Sequence, residues 1–158
     1  MTLAIRHAEA YAIALTGQPQ PALTVQVFDD RGQDPDLAAI RHGTISHLWR
    51  WIAAKQAEGC GVFATVQATT PGKRKASDVL AIRAHFVEFD RVAAPRVWHC
   101  EPSILVQSRN GVHAYWPTDD APLDGYRDRQ QRLAAMYGSD PVVCDLPRVM
   151  RLPGTDHL

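Results

Sequence analysis

The sequence predicts an α+β fold in which helices cover one face of a mostly antiparallel sheet. Apolar residues recur at helical spacing in about three long segments and at alternating spacing in about five others. The two kinds of segment are mixed along the chain instead of alternating strictly. This order disfavours a parallel sheet built from repeated strand–helix–strand units.

The composition is that of an ordinary globular protein, and it excludes several classes. The chain has 158 residues, of which 46% are hydrophobic, so it can bury a core without disulfides or a structural metal. Its 17 Lys and Arg residues balance 17 Asp and Glu residues, which argues against a protein that coats nucleic acid through bulk charge. The three cysteines form no C-x-x-C pair, so we expect neither a zinc ribbon nor a redox pair. No apolar run reaches the roughly 18 residues that span a membrane, and we expect a cytoplasmic protein without a membrane partner.

The first 80 residues predict two helices, two strands and several loops. The helices are expected from Leu3 to Leu15 and from Thr44 to Glu58, each followed by a glycine that ends it. The strands are expected at Thr24–Phe28 and Gly61–Gln67, where β-branched and apolar residues concentrate, and residues 77–82 are typical of one helical turn. The loop after the second strand carries Lys73, Arg74 and Lys75, which are interpreted either as a solvated loop or as a contact for a nucleic-acid backbone.

The remainder of the chain predicts three strands, a hairpin and a third helix. The strands are expected at Ala84–Asp90, Ser103–Gln107 and Val112–Trp116. An Asn-Gly dipeptide between the last two is typical of a tight hairpin turn. The helix is expected from Leu123 to Tyr137, where Gly138 ends it.

Two carboxylates on the first of these strands form the first candidate site. Glu88 and Asp90 are two residues apart, so both side chains point to the same face of the strand. Two neighbouring negative charges on an otherwise apolar strand repel each other, and a divalent cation between them reverses that penalty. The alternative is that Asp90 begins a loop while Glu88 pairs with an arginine across the sheet.

The hairpin turn from Ser108 to His113 forms the second candidate site. A hydroxyl, a guanidinium and backbone N–H groups meet at one turn, which suits the binding of phosphate. The alternative is an ordinary Asn-Gly hairpin whose histidine is a half-buried strand residue.

A third group of charged residues lies near the end of the chain. Asp140 and Asp145 precede Arg148 and Arg151, and a Pro-Gly turn follows. These residues are either a candidate functional site or surface ion pairs of little energetic value near a terminus.

In this order, the three groups resemble the motifs of the archaeo-eukaryotic primase superfamily, and in particular its RepB-like primases from plasmids, phages and integrated elements. That family has an Asp/Glu-x-Asp pair at a strand end, a Ser-x-x-Gly-x-His hairpin, and an acidic residue upstream of Arg-x-x-Arg-x-Pro-Gly. The matching segments here are Glu88–Asp90, Ser108–His113 and Asp145–Gly154. Glu88 departs from the pattern, since many members have Asp at that position.

The resemblance implies a fold and a set of functional residues. An RRM-like catalytic sheet, at about residues 81–158, would pack against an N-terminal αβ unit at about residues 1–80. Because that family's core continues past the Pro-Gly turn, the chain is expected to lack a last strand or a C-terminal module. The implied catalytic residues, which also hold Mg²⁺ or Mn²⁺, are Glu88, Asp90 and Asp145, with Asp140 as the alternative to Asp145. The implied nucleotide-binding residues are Ser108, Arg109, His113, Arg148 and Arg151.

The function implied by the resemblance is that of a DNA primase or primase-polymerase. Such a nucleotidyltransferase makes short primers on single-stranded DNA from nucleoside triphosphates, here in the replication of a mobile element, and a replicative helicase is an implied partner. Two alternatives stay open. One is a catalytically inactive domain that binds single-stranded DNA or a replication origin, and the other is a metal-dependent nuclease.

Overall fold

The computed structural model describes residues 4–157, and within that range it contains three α-helices and nine strands. The helices are α1 (Ile5–Thr16), α2 (Ile45–Ala57) and α3 (Tyr126–Tyr137). The strands, in chain order, are β1 (Ala22–Asp29), β2 (Ala39–Thr44), β3 (Cys60–Thr65), β4 (Ala68–Thr69), β5 (Val79–Ala81), β6 (Ala84–Asp90), β7 (Ile104–Gln107), β8 (Gly111–Pro117) and β9 (Val149–Arg151). No helix among these residues is long and apolar enough to cross a membrane.

The three helices lie where the sequence predicts them, with ends that differ by up to three residues. The hydroxyl of Thr44 accepts a hydrogen bond from the backbone N–H of His47 at 3.3 Å and caps α2. Helices α1 and α3 end at Gly17 and Gly138, which adopt the left-handed conformation that glycine tolerates best. Leu3, the expected first residue of the first helix, lies outside the described residues.

The strands form two larger antiparallel sheets and one small hairpin. The four-stranded sheet has the order β2-β1-β3-β9, and the three-stranded sheet has the order β6-β8-β7. Strands β4 and β5 pair only with each other. The α+β class with mostly antiparallel pairing is therefore confirmed.

Four strands have no counterpart in the sequence prediction: β2, β4, β5 and β9. They are short or lie at sheet edges, and their apolar pattern is weak, so their pairing depends on partners distant in the chain. The helical turn expected at residues 77–82 is partly wrong. A single 3-10 turn covers Ala76–Asp78, and Val79–Ala81 then pairs with β4 as strand β5.

One hydrophobic core joins the two larger sheets. Alternate residues of β1 and β3 point towards α1 and α2 and are fully buried, among them Val25 and Val62. The same cluster contains Phe86 of β6 and Tyr115 of β8, and the ring of Tyr115 contacts Tyr11 of α1 edge to face at 5.5 Å. Helix α1 thus packs against both sheets and fixes their relative position.

The opposite face of the three-stranded sheet is covered by α3 and by the loop after β6. Val87, Phe89 and Ala114 are buried there against Trp98 and Leu133, among others. Because side chains alternate along β6, burying Val87 and Phe89 on this face directs Phe86, Glu88 and Asp90 to the other face. The core therefore decides which side of the sheet carries the two acids.

The hairpin between β7 and β8 lies beside the end of β6. Gly111 pairs directly opposite Asp90, and a Cβ atom at Gly111 would overlap the carbonyl oxygen of Phe89. The backbone N–H of Ser108 donates to the carbonyl oxygen of Gly111 at 2.8 Å and closes the turn. Only glycine permits this close approach, which brings the hairpin turn next to the acidic end of β6.

Candidate active site between the two sheets

A polar cleft of about 260 Å³ lies between the end of the three-stranded sheet and strands β3 and β9. Larger cavities of about 380, 470 and 530 Å³ occur elsewhere among the described residues, but their linings bring no two carboxylates together. The polar residues that line the cleft are Glu88, Asp90, Ser108, Asn110, His113, Arg148, Arg151 and His157. The cleft therefore unites members of all three groups selected from the sequence.

Glu88 and Asp90 project into the cleft from the end of β6. Glu88 pairs opposite His113 and is partly buried, whereas Asp90 is exposed at the last position of the strand. The chain then turns sharply at Arg91, whose φ of 58° is left-handed and whose backbone N–H donates to the carbonyl oxygen of Asn110 at 2.8 Å. This turn ends the strand and leaves the carboxylate of Asp90 at the mouth of the cleft.

Glu88 and His113 form a cross-strand pair. Atom Nε2 of His113 lies 3.2 Å from Oε1 of Glu88, and the histidine side chain is only 5% exposed. The hydrogen bond from His113 lowers the pKa of Glu88, and nearby Arg148 lowers it further, whereas burial acts in the opposite direction. Glu88 is thus held ionised by a histidine and not, as the alternative interpretation expected, by an arginine across the sheet. Atom Nδ1 of His113 is buried and has no hydrogen-bond partner among residues 4–157.

The stability of the metal-free protein is expected to fall as the pH decreases through the acidic range, in part because of Glu88. Its pKa is lower in the folded protein than in the unfolded chain. Its contribution is therefore complete above the ordinary pKa of a glutamate and is lost as the pH falls towards the folded value. Urea unfolding over a pH series measures this, and the slope in that window should be smaller for Glu88→Gln than for wild type. Equal slopes would show that the His113 contact does not stabilise the ionised carboxylate.

Arg148 lines the cleft, but the acid that pairs with it does not. Atom Nη2 of Arg148 lies 2.5 Å from Oδ1 of Asp145 and also donates to the carbonyl oxygen of Val142 at 3.1 Å. Asp140 is exposed, and its Oδ1 accepts a hydrogen bond from the backbone N–H of Val142 at 2.8 Å. Neither candidate for the third carboxylate is part of the cleft lining.

The arrangement of acids therefore differs from the expected triad. Within residues 4–157, no three His, Cys, Asp or Glu side chains are grouped as a set of metal ligands. The structure places Glu88 and Asp90 in the lining of the cleft, whereas Asp145 pairs with Arg148 and does not line the cleft. The assignment of metal-binding and catalytic roles to these residues stays a prediction.

Arg151 is fixed in the cleft by Asp30, which directly follows β1 and was not among the candidate site residues. Atom Nη2 of Arg151 donates to Oδ1 of Asp30 at 2.6 Å, and Nη1 donates to Oδ2 at 3.3 Å. The side chain of Asp30 is 4% exposed and that of Arg151 is 16% exposed. A Cβ atom at Gly61 would overlap Oδ1 of Asp30, so glycine on β3 provides the space for this pair. The guanidinium of Arg151 also lies over the ring of Phe63, 4.7 Å from its centroid.

Other expected site residues lie outside the cleft. Arg109 is exposed at the tip of the hairpin and is not part of the lining. The loop of Lys73, Arg74 and Lys75 lies between β4 and β5, where the guanidinium of Arg74 is 5.6 Å from the ring centroid of Phe28. Conversely, Phe63 and His157 line the cleft without having been selected. No local pattern marks either residue, because Phe63 lies in a segment predicted only as a strand and His157 follows the last motif.

Comparisons with solved structures relate this arrangement to known proteins. Neither a protein-family model nor a curated protein sequence matches the chain. The primase-polymerase (AEP) domain of cyanophage S-2L superposes with a TM-score of 0.68 at 17% identity, covering 93% of this chain and 80% of that domain. The catalytic domain of primase RepB′, solved in complex with initiator DNA, superposes with a TM-score of 0.60 at 18% identity, covering 97% of this chain and 78% of that domain. A second RepB′ structure gives 0.58 at 18% identity, over 96% of this chain and 50% of that one.

The chain has the archaeo-eukaryotic primase fold. The resemblance drawn from the three motifs is thereby confirmed at the level of the fold, across nearly the whole chain. In this primase fold the two sheets meet at the cleft that holds Glu88, Asp90 and His113. The three motifs are separated in the sequence but meet at this cleft. Glu88 and Asp90 lie at the end of β6, Ser108 to His113 at the hairpin between β7 and β8, and Arg148 and Arg151 at β9.

Proposed function

We propose that the chain is a DNA primase or primase-polymerase domain. Such a nucleotidyltransferase joins nucleotides into short primers on a single-stranded DNA template. The observation that carries this proposal is the meeting of Glu88 and Asp90 with Ser108, His113 and two arginines in one cleft of a primase fold. A cleft that combines acids with cationic and hydroxyl side chains suits a reaction in which a triphosphate is held and displaced at its α-phosphate.

The basic and hydroxyl side chains of the cleft would bind the triphosphate. The hydroxyl of Ser108, the ring of His113 and the guanidinium groups of Arg148 and Arg151 line it. Charge-assisted hydrogen bonds from arginine to phosphate are strong and directional, so these groups would orient the nucleotide without forming a covalent bond to it. Arg109, at the tip of the same hairpin, would bind phosphate from the rim of the cleft.

The acidic side of the cleft suits a divalent cation. Glu88 and Asp90 supply carboxylate oxygens, which Mg²⁺ and Mn²⁺ prefer, and the contact with His113 keeps Glu88 ionised. When bound, such an ion would neutralise charge on the transferring phosphate and lower the pKa of the attacking hydroxyl. In the arrangement described, Asp145 would act through Arg148, by fixing the guanidinium at the edge of the cleft.

The expected partners are a single-stranded DNA template and nucleoside triphosphates. The RepB′ catalytic domain was solved with initiator DNA, which supports DNA binding by this chain as well. The helicase partner, the mobile-element setting and the division near residue 80 are carried by the motif resemblance alone, and the cytoplasmic location by the composition of the sequence.

A primer-synthesis assay tests this function. The purified chain is incubated with an unlabelled single-stranded template, labelled nucleoside triphosphates and Mn²⁺, and we expect short labelled products that disappear when the metal is chelated. The variant Asp128→Asn, which changes an exposed acid on α3 away from the cleft, should retain wild-type synthesis. In a parallel reaction with an end-labelled template, degradation of the template without any extension would instead indicate a nuclease.

A second function is favoured by one observation. Asp145 is bound to Arg148 and does not join the other two acids, as expected of a primase-like domain that binds single strands without catalysis. Retention of template without nucleotide incorporation, unaltered by Glu88→Ala, would support this second function over the first.

A further inference from the structure

Two neighbouring aromatic rings, with a guanidinium group at each end, form a row that extends from the cleft across one face of the four-stranded sheet. The aromatic–cation row consists of Arg151, Phe63, Phe28 and Arg74. The guanidinium of Arg151 lies 4.7 Å from the ring centroid of Phe63, the two phenylalanine centroids are 5.6 Å apart, and the guanidinium of Arg74 lies 5.6 Å from the centroid of Phe28. Its first two members line the cleft, and its last belongs to the basic loop between β4 and β5.

The two rings occupy the sheet face that the hydrophobic core does not use. Val27 and Val62, the chain neighbours of Phe28 and Phe63, are fully buried in that core, so the rings point to the opposite face. Nearer the other end of β1, this face is covered by β4, where the hydroxyls of Thr24 and Thr69 lie 3.0 Å apart. Phe28 and Phe63, on the same face, are only partly buried.

The far end of the row carries positive charge that no acid in the described part of the chain neutralises through an ion pair. Lys73 and Lys75 are exposed on both sides of Arg74. The four ion pairs within residues 4–157 involve other residues, and three of these pairs include a residue that lines the cleft. In a chain with a formal net charge of zero, a loop with three adjacent cations is a local feature that favours a polyanionic ligand.

We propose that the aromatic–cation row binds a single strand of nucleic acid and leads it into the cleft. Bases stack against Phe28 and Phe63, and phosphates bind Arg74 together with Lys73 and Lys75. Aromatic rings next to cations are the combination that proteins use to hold single strands without regard to sequence, because every base has an aromatic face and every nucleotide a charge. Only the role of the strand as a template rests on the function proposed above, since binding requires neither nucleotide nor metal.

Fluorescence anisotropy with labelled oligothymidylate and oligouridylate, in the absence of nucleotides and divalent metal, tests the row. Phe28→Leu keeps an apolar side chain but removes the ring, and we expect it to weaken binding by about 5- to 150-fold, as for loss of one stacked base. Phe28→Trp should restore the affinity. Arg74→Gln should reduce the slope of log affinity against log salt by about 0.7, which corresponds to one phosphate contact on a single strand.

The matched control is Arg127→Gln, which removes an exposed arginine from α3, on the far side of the three-stranded sheet. Circular dichroism checks that each variant is folded. The proposal is overturned if the chain binds neither oligonucleotide, or if Phe28→Leu and Arg74→Gln bind as tightly as the control. Competition by polyglutamate as strong as that by oligonucleotide, with no effect of Phe28→Leu, would also overturn it and indicate an acidic polypeptide ligand. If binding depends on the row while no nucleotide is incorporated, the proposed catalysis fails and the row stands.

Discussion

Asp90→Asn is expected to reduce nucleotide incorporation by more than about 100-fold, while binding of single-stranded DNA is unchanged. The substitution preserves the size of the side chain and its position at the end of β6. It removes the negative charge that attracts a divalent cation, and an amide oxygen does not replace a carboxylate in that role. Because the side chain of Asp90 is exposed, we expect the substitution to leave the folded structure intact.

Glu88→Gln distinguishes the chemical role of Glu88 from its structural role. The amide oxygen of glutamine still accepts a hydrogen bond from His113, so the cross-strand contact survives, but the charge is lost. We expect a loss of incorporation similar to that of Asp90→Asn, measured in the same primer-synthesis assay. Full activity in either variant, with Asp128→Asn as the reference, would show that the substituted residue is not needed for the reaction.

Asp30→Ala is expected to lower the free energy of unfolding by about 3 to 5 kcal/mol, the largest effect on stability that we expect. Its partner Arg151 is 16% exposed and would keep its charge without a counter-ion. The pair also positions the end of the chain, since Nη1 of Arg151 donates to the carbonyl oxygen of Asp156 at 3.2 Å. Urea unfolding followed by circular dichroism measures the loss.

A surface pair of the same kind provides the control. Lys55 and Glu58 of the α2 region are 2.5 Å apart but more exposed, and Glu58→Ala should cost less than about 1 kcal/mol. The double variant Asp30→Leu, Arg151→Met removes both charges and should recover most of the stability, because apolar side chains often replace a buried ion pair without loss. A single variant Asp30→Ala as stable as Glu58→Ala would show that the pair is not effectively buried.

The double variant also separates stability from nucleotide binding. If Arg151 binds the triphosphate, the stable double variant should show a raised KM for nucleotide with a smaller change in kcat. Unchanged kinetics would show that the buried pair only fixes β9 against β3.

Local patterns in the sequence determined the elements that carry the site. Helical spacing and terminal glycines gave α1, α2 and α3, because these features act between residues a few positions apart. Alternation along β6 placed Glu88 and Asp90 on one face, and the Asn-Gly turn placed Ser108 beside them. Each of these inferences depends on contacts within one strand or one hairpin.

Only the tertiary structure decided which distant residues complete the cleft. Asp30 and Arg151 are 121 positions apart, and their pairing exists because β9 adds to the edge of β3 where Gly61 leaves space. A three-residue edge strand has almost no pattern of its own, so neither β9 nor the exposure of Phe63 beside it could be identified beforehand. The same applies to Asp145, which pairs with Arg148 and does not line the cleft that holds Glu88 and Asp90. A motif specifies which side chains are available, but the direction in which each one points is set by packing against residues far away in the chain.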